Sequence, residues 1–599
     1  MAFCTAMDSL TSKQVGENAH PEHTWSKDNT EKIVQFYFQL VRTKDISGTA
    51  DLRSVLNELI TAFKQTPEDT SDPVNIRHLA MLYKLIAHTR DIVGGKGERM
   101  LTYAQIYVWH QHFPKLANFA LLSLVYFIEP DLTINRSKHQ YGSWNDIKYF
   151  CEAVRQLSGG TTHDLINYAV SVLANQLKED VQSEHPSLAA RHTPREKSKF
   201  AWVFEKLASI MYPYHTSATS QIQLLRARRK SFTKLRQEIL APLNRKLDTV
   251  QVKMADKDGR WSEINFNHVT SRTLRKHPLA WQNLTKTDQT RYENADRTAC
   301  ASNYTQHLED ATKKGSGAKV HGKRCGTYEL VKDALRSTSE VDTMRIDLQW
   351  EDNASQNQSL GNFIAMVDTS ASMETDDCLP LYNALGIGIR IAEKAESPFT
   401  NRVLTFNTTP EWCNLDQCST FTEKVKHLRR AEWGGTTNFY AAMKLILTAI
   451  TQSEIHPDEV ANMVLCVLSD MQVNINEQPT SNNAPDHTLW HTAREGWTDT
   501  MSDTITKMYH DAGMRSKHEK PYVAPHILFW NLRKTTGFPV SGGTKNFTML
   551  SGYSAILLNA FYEKGAEALR EYSPYRMIED LLANDRYKPL ERCLYRYFA

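Results

Sequence analysis

At 599 residues the chain is too long for one compact core, and ordinary domain sizes divide it into roughly two to four. Hydrophobic residues at 41% and charged residues at 23% are the proportions of a folded globular protein, which excludes a largely disordered or collagen-like chain. The formal net charge is only +3, so any attraction to a polyanion must come from how the charge is distributed.

The nine cysteines are scattered and form no Cys-x-x-Cys pair, which argues against a zinc ribbon or a disulfide framework and for free thiols in a reducing compartment. Residues 1–27 are polar and lack the apolar core of a signal peptide. The most apolar window, Leu116 to Ile128, is interrupted by Asn118 and Ser123 and is too short to span a bilayer. The expectation is a soluble, cytoplasmic protein with no membrane segment.

Residues 1–28 read as a flexible lead. Asp28-Asn29-Thr30-Glu31 then signals a helix start, with Ile33, Phe36, Leu40 and Val41 at helical spacing behind it. Leu52, Val55, Leu56, Leu59, Ile60 and Phe63 make a second stripe, and Leu79, Leu82, Tyr83, Leu85 and Ile86 a third. Further stripes run through Leu121–Ile128, Ile166–Leu177 and Phe200–Met211. Amphipathic helices joined by short loops bury their faces by stacking, so residues 29–345 are expected to form an α-helical, HEAT-like repeat ring or solenoid.

The pattern changes after about residue 345. Phe363–Val367, Val403–Phe406, Val464–Leu468 and Ile527–Trp530 are short apolar strand candidates, separated by helical stretches at Leu381–Ala395, Asn438–Ile450 and Ser554–Glu563. Alternating strands and helices predict a parallel, doubly wound sheet flanked by helices over residues 346–599. The polar segment Asn474–Thr498 reads as a long loop. The fold class expected for the whole chain is α + α/β.

Within this second region, the apolar run Phe363–Val367 leads straight into Asp368, with Ser370 and Ser372 at the second and fourth positions after it. A turn after a buried strand presents these oxygens at the strand's carboxyl end, where open α/β sheets place their ligands. Oxygen donors of this kind suit a hard divalent cation, Mg²⁺ first, with Mn²⁺ and Ca²⁺ as alternatives. Trp433-Gly434-Gly435-Thr436-Thr437-Asn438 opens the next helix, and Val467-Leu468-Ser469-Asp470 closes the next strand. This set, Asp-x-Ser-x-Ser with a distant Thr and Asp, resembles the metal-ion-dependent adhesion site of von Willebrand factor A domains. The resemblance implies that Ser370 and Ser372 bind the metal directly. Asp368 and Asp470 would bind it directly or through water, and the threonine is either Thr437 or Thr436. No His lies in these segments and no acid–base pair can be assigned, so a binding site is expected rather than an enzyme.

Arg90-Asp91-Ile92-Val93-Gly94-Gly95-Lys96-Gly97-Glu98-Arg99 is not a Walker motif, because its lysine lacks the Gly-x-x-x-x-Gly before it and the Ser or Thr after it. It reads as an interhelical turn whose amides, with Lys96 and Arg99, are candidates for a phosphate. Residues 195–253 hold thirteen Lys/Arg against four Asp/Glu, densest at Arg226-Ala227-Arg228-Arg229-Lys230. A basic stripe on helices is the footprint of phosphate-backbone binding. His487 and His491 stand four apart, but no Glu follows His487, so the zinc-protease motif is absent.

Thr89–Arg99, Tyr141-Gly142-Ser143-Trp144-Asn145-Asp146-Ile147 and a C-terminal A-like domain together resemble the TROVE/Ro class. The wording of Leu188–Lys199, Trp261–Phe266 and Phe529–Arg533 is similar to an uncharacterised sister family of that layout. The resemblance implies a helical ring that binds structured non-coding RNA or single-stranded RNA ends. It makes Lys96, Arg99, Arg191, His192, Arg195, Lys197, Lys199, Arg226, Arg228, Arg229 and Lys230 candidate RNA contacts. The expected function is thus a non-catalytic RNA-binding protein of ribonucleoprotein type. The alternative is an assembly module whose metal takes a protein partner's carboxylate.

Overall fold

The structure is a computed structural model. It describes residues 13–15, 21–64, 73–214, 220–407, 409–430, 438–472, 501–562 and 566–599. The chain divides into two compact units. A sheet unit comprises residues 1–42 and 322–583, and a helical unit comprises residues 43–321 and 584–599.

The boundaries expected at 28/29 and 345/346 therefore differ from those found, and both ends of the chain change allegiance. Helix α1 (Asn29–Phe38) starts where Asp28 accepts the Glu31 amide. It lies in the sheet unit rather than with the other early helices. Gln39 exchanges hydrogen bonds with Thr535, donating to its Oγ1 at 3.0 Å and accepting from its amide at 3.0 Å. Part of the expected flexible lead is ordered too, since Lys13–Val15 pairs antiparallel with Pro21–His23.

The helical unit contains α2 (Ala50–Lys64), α3 (Pro73–Arg90), α4 (Met100–His112), α5 (Pro114–Leu122), α6 (Asn145–Ser158), α7 (Asp164–Gln182), α8 (Ala201–Met211), α9 (Gln221–Lys234) and α10 (Ala295–Thr312). Their apolar stripes are the buried faces: Leu52, Leu56, Leu59 and Ile60 in α2, and Ile147, Phe150 and Val154 in α6. Packing runs mainly between near neighbours in sequence, α2 and α3 on α4, α4 on α5, α6 on α7 and α7 on α8. The expected helical stripe Leu121–Ile128 is not one helix. α5 stops at Leu122, and Phe127–Ile128 pairs antiparallel with Ile134–Asn135 across a turn that holds Leu132 at φ 72°. Apolarity without a sustained helical period allowed either structure, and the strand pairing decided it.

The sheet unit continues with α11 (Thr327–Arg336) and α12 (Glu340–Ala354), then β1 (Phe363–Asp368), α13 (Thr375–Lys394), β2 (Arg402–Phe406), β3 (Glu411–Asn414), α14 (Phe439–Gln452), β4 (Val464–Ser469), α15 (Met501–Arg515), β5 (His526–Asn531), β6 (Phe547–Ser551) and α16 (Pro574–Leu582). The four expected strands are present. β3 and β6 were not foreseen, being short and, in β6, interrupted by Thr548. The sheet is mixed, in the order β6-β5-β4-β1-β2-β3, with β3 antiparallel at one edge and every other pairing parallel. The expected helix at Ser554–Glu563 is a 3₁₀ segment, Ala555–Phe561, among the described residues. The segment Asn474–Thr498, with His487 and His491, lies outside them.

α13 packs closely because of two glycines. A Cβ on Gly388 would come within 2.5 Å of Val367 Cγ2 on β1, and one on Gly386 within 2.9 Å of Thr327 Cβ on α11. The last helix, α17 (Lys588–Phe598), follows α16 in sequence but packs on α3 and α5 in the helical unit. No helix among the described residues is long and apolar enough to cross a membrane. The eight described cysteines are free thiols.

Candidate functional site

The strand order reverses between β1 and β4: the chain runs outward from β1 through β2 and β3, then returns to lay β4 on the other side. Diverging connections open a crevice at such a switch point, outside the carboxyl ends of the strands. Asp368 is the last residue of β1, and Ser469 and Asp470 end and follow β4, so the topology delivers two separate sequence motifs to one place.

Both carboxylates are fully buried. Asp368 Oδ1 accepts the Ser370 amide at 2.9 Å, and its Oδ2 accepts the Ser469 hydroxyl at 2.5 Å across the strand pair. The Ser370 and Ser372 hydroxyls lie 3.0 Å apart. Asp470 Oδ1 accepts the Gln472 amide at 3.2 Å, and Arg533, two residues beyond β5, brings its Nε to 3.1 Å from Asp470 Oδ2. Burial first, and then the Asp470 carboxylate, push the Asp368 carboxyl well above the usual carboxylate range, while its hydrogen bonds to Ser370 and Ser469 oppose the rise. A buried carboxylate under such pressure, beside two hydroxyls, is a donor set that fits a hard divalent cation. Among the described residues no three His, Cys, Asp or Glu side chains converge as a metal cluster, so such an ion would depend on the hydroxyls as well as the acids. Asp368, Ser370, Ser372 and Asp470 thus lie at the carboxyl ends of the paired strands β1 and β4. Thr436 and Thr437 lie outside the described residues. Arg533 was not anticipated, although it ends the Phe529–Arg533 segment.

In the helical unit the glycine-rich turn is a packing device, which corrects its assignment as a phosphate contact. Lys96 is buried, and burial holds its ammonium far below its usual range. The turn's amides are spent internally: Gly95 donates to the Asp91 carbonyl at 3.1 Å, Lys96 to that of His88 at 3.0 Å and Glu98 to that of Thr89 at 2.8 Å. A Cβ on Gly95 would sit 2.1 Å from the His88 carbonyl oxygen, which explains the glycine there.

Arg99, by contrast, faces a cationic cluster. Its guanidinium lies 5.1 Å from the Tyr149 ring centroid and 3.5 Å from Asp146. Lys199 lies 5.4 Å from the same ring and 4.9 Å from that of Phe200, which meets Tyr149 edge-on at 5.0 Å. Lys148 lies 6.0 Å from both rings and donates to the His192 carbonyl at 3.1 Å. Burial, then Arg191 and Arg99, lower the Lys148 ammonium to about 8. Burial, then Lys148 and Arg191, lower His192 to about 4. Arg191 donates to Gln251 Oε1 at 3.2 Å. Arg99, Arg191, His192 and Lys199 are therefore brought together, with Lys148 as an unforeseen member. Its signal was its place directly after the Trp144–Ile147 segment. Arg195 and Lys197 are exposed nearby in sequence.

Arg226, Arg229 and Lys230 stand exposed on α9, while Arg228 pairs with Glu205 of α8 at 2.5 Å. Asp146, inside the unit, takes Arg90 as a bidentate partner at 2.8 and 2.9 Å and the Tyr103 hydroxyl at 2.5 Å.

A family model described as a domain of unknown function, DUF7788, matches residues 362–588, which begins at β1 and takes in the rest of the sheet. An uncharacterized protein of Acanthamoeba polyphaga mimivirus, L728, is 26% identical over 525 residues, covering 84% of this chain and 79% of that protein. The crystal structure of the Deinococcus radiodurans RO (RSR) protein aligns over 91% of this chain and 100% of its own, at 11% identity and a TM-score of 0.33, a superposition too loose to bear on fold or function. What the structure itself defines is a chain of two units, one helical and one built on a six-stranded mixed α/β sheet.

Proposed function

We propose that this protein is a non-catalytic RNA-binding protein of ribonucleoprotein type, with a divalent cation site at the switch point of its sheet. The observation that supports the RNA reading best is the cluster around Tyr149. There Arg99 and Arg191 stand close enough to Lys148 and His192 for their charge to add to burial in lowering the proton affinity of both, with Lys199 on the same rings. Concentrating cations against their mutual repulsion is what a phosphate ligand repays. Three cations already lie over the Tyr149 ring, so the contact is with the backbone and not with a stacked base. The resemblance of Tyr141–Ile147 and the A-like half to the TROVE/Ro class points the same way.

The test is fluorescence anisotropy with single-stranded RNA of several sequences over a salt series. Wild type binds at low salt. The double variant Lys148→Ala/Lys199→Ala binds more weakly by a similar factor for every sequence, and its log–log salt slope is shallower by about 1.4, roughly 0.7 for each cation on a single strand. No binding at low salt, or an unchanged slope in the double variant, overturns the reading.

A second reading is an assembly module whose cation takes the Asp or Glu of a protein partner. It draws support from the switch-point donor set, which belongs to a different unit from the cationic cluster. The absence of any His from the motif segments is the reason neither reading includes catalysis.

A further inference from the structure

The opening of α9 is a stretch of helix that its own unit covers poorly. None of Gln221–Lys230 is buried, and the helix first enters the core at Ser231 and Phe232. Short helices are marginal in water and take most of their stability from packing one face against a neighbour, so this stretch still has cover to gain. Its outward side has two parts along the axis. Ile222, 64% exposed, and Leu225, 47% exposed, come first, and Arg226, Arg229 and Lys230, all exposed, follow them. Glu205, Glu196 and Glu238 are engaged by other groups: Glu205 by Arg228 and the Tyr214 hydroxyl, Glu196 by Arg236 at 3.3 Å, and Glu238 by the Tyr212 hydroxyl at 2.9 Å. Arg226, Arg229 and Lys230 have no ion pair among the described residues.

We propose that Gln221–Lys230 is a docking face for an acidic protein segment that carries an aliphatic anchor. The anchor packs on Ile222 and Leu225, and the segment's carboxylates meet Arg226, Arg229 and Lys230. From Ile222 to Lys230 the helix rises about 12 Å at about 1.5 Å per residue, the reach of about two turns of a partner helix laid alongside. RNA would satisfy the three cations but leave Ile222 and Leu225 in water, where their apolar surface contributes nothing. An anionic bilayer suits a helix whose apolar stripe is set apart from its cations. At about 100° per residue, Arg229 lies about 20° and Arg226 about 40° around the helix from Ile222, closer to it than Leu225 at about 60°. Sinking the aliphatic pair into lipid would therefore sink the cations with it. The face uses no residue of the Tyr149 cluster or of the switch point, so the inference stands independently of both readings above. It assigns Arg226, Arg229 and Lys230 to a protein partner instead of RNA.

The test uses the full chain to select from a display library of random peptides about twelve residues long, with counter-selection on the double variant Arg226→Glu/Arg229→Glu. The enriched peptides are expected to place two or more Asp or Glu beside a Leu, Ile or Val. The tightest of them, synthesised and titrated by calorimetry, should bind Arg226→Glu/Arg229→Glu and Ile222→Ser/Leu225→Ser each about tenfold more weakly than wild type. Added salt should weaken its binding to wild type and leave Arg226→Glu/Arg229→Glu almost unmoved. All four side chains are exposed, so both variants should melt with wild type, and the losses are then those of the face and not of the fold. No enrichment, enriched peptides without acids, or equal affinity in either variant overturns the proposal. Two further arms separate the other occupants. Single-stranded RNA and phosphatidylserine vesicles are each offered to wild type and to Ile222→Ser/Leu225→Ser, and the variant should match wild type in both. A loss of RNA binding would make the face an RNA contact, and a loss of vesicle binding would make it a lipid contact; either overturns the assignment to a protein segment.

Discussion

Asp146 is a carboxylate buried among charged and polar partners in the helical unit. Burial alone would raise its carboxyl. The bidentate Arg90 pair, the Arg99 charge and the Tyr103 hydroxyl overcome that and hold it well below the usual carboxylate range. Breaking a buried pair from one side strands the other charge, so Asp146→Ala is expected to destabilise the helical unit by about 3–5 kcal/mol. Urea unfolding followed by hydrogen exchange in α3 and α6 measures it, and protection in β1 and β4 serves as the internal comparison. Gly95→Ala belongs to the same scale. Its Cβ meets a backbone carbonyl, which cannot rotate away, so a loss of about 1–3 kcal/mol follows from overpacking.

At the scale of elements, one strand and one helix each bury a histidine. His526 on β5 lies against Thr548 of β6 at 3.0 Å, and burial lowers it to about 4. His88 on α3 lies 3.3 Å from the Tyr587 hydroxyl, and burial, then Lys96, lower it to about 3. A lowered folded value means that the unfolded chain takes up the proton first as pH falls. The stability these residues contribute is therefore complete above about pH 6.5 and drains away toward pH 4. For His526 the loss is on the order of 3 kcal/mol across that window. Thermal melts between pH 7.5 and 4.5 should show midpoints falling with acid below about 6.5, and His526→Gln should flatten part of that fall. A variant with an acid slope equal to wild type's would show that His526 does not carry it. The strand order belongs to this scale as well. β1 sits between β2 and β4, and that position alone brings Asp368 within reach of Ser469, 101 residues away.

At the scale of the whole molecule, the near-neutral total conceals the gathering of charge in the helical unit. The exchange of chain ends is the second large-scale feature. Residues 584–599 return to the helical unit, where Arg586 takes Asp91 in a bidentate pair at 2.7 and 2.8 Å and Tyr587, Leu590 and Leu594 are buried. Three buried side chains at about 2 kcal/mol each make removal of residues 584–599 cost at most about 6 kcal/mol, an upper figure since unfolded chains are partly collapsed. Hydrogen exchange would register the loss in α3 and α5 and leave β1 and β4 protected; equal loss in both would show that the units do not unfold separately.

Periodicity and local chemistry determined a good deal without any structure: the helical stripes of the first half, four of the six sheet strands, and the acid–hydroxyl turn Asp368–Ser372 with Asp470 as its distant partner. These were legible because an apolar period of 3.6, or a short apolar run that ends in a polar turn, is a local property of the chain. Three matters were left to the tertiary structure. Burial of Lys96 depended on the close approach of the Gly95 turn to α3. Lys148 and Arg533 entered their clusters because neighbouring elements, not neighbouring residues, placed them there. The unit boundaries were set by contacts such as Gln39 with Thr535 and Arg586 with Asp91, each spanning nearly 500 residues. Local pattern specifies what each segment can bury and which groups it can present. Which cation meets which carboxylate depends on strand order and helix packing, and these are decided by the free energy of the assembled core.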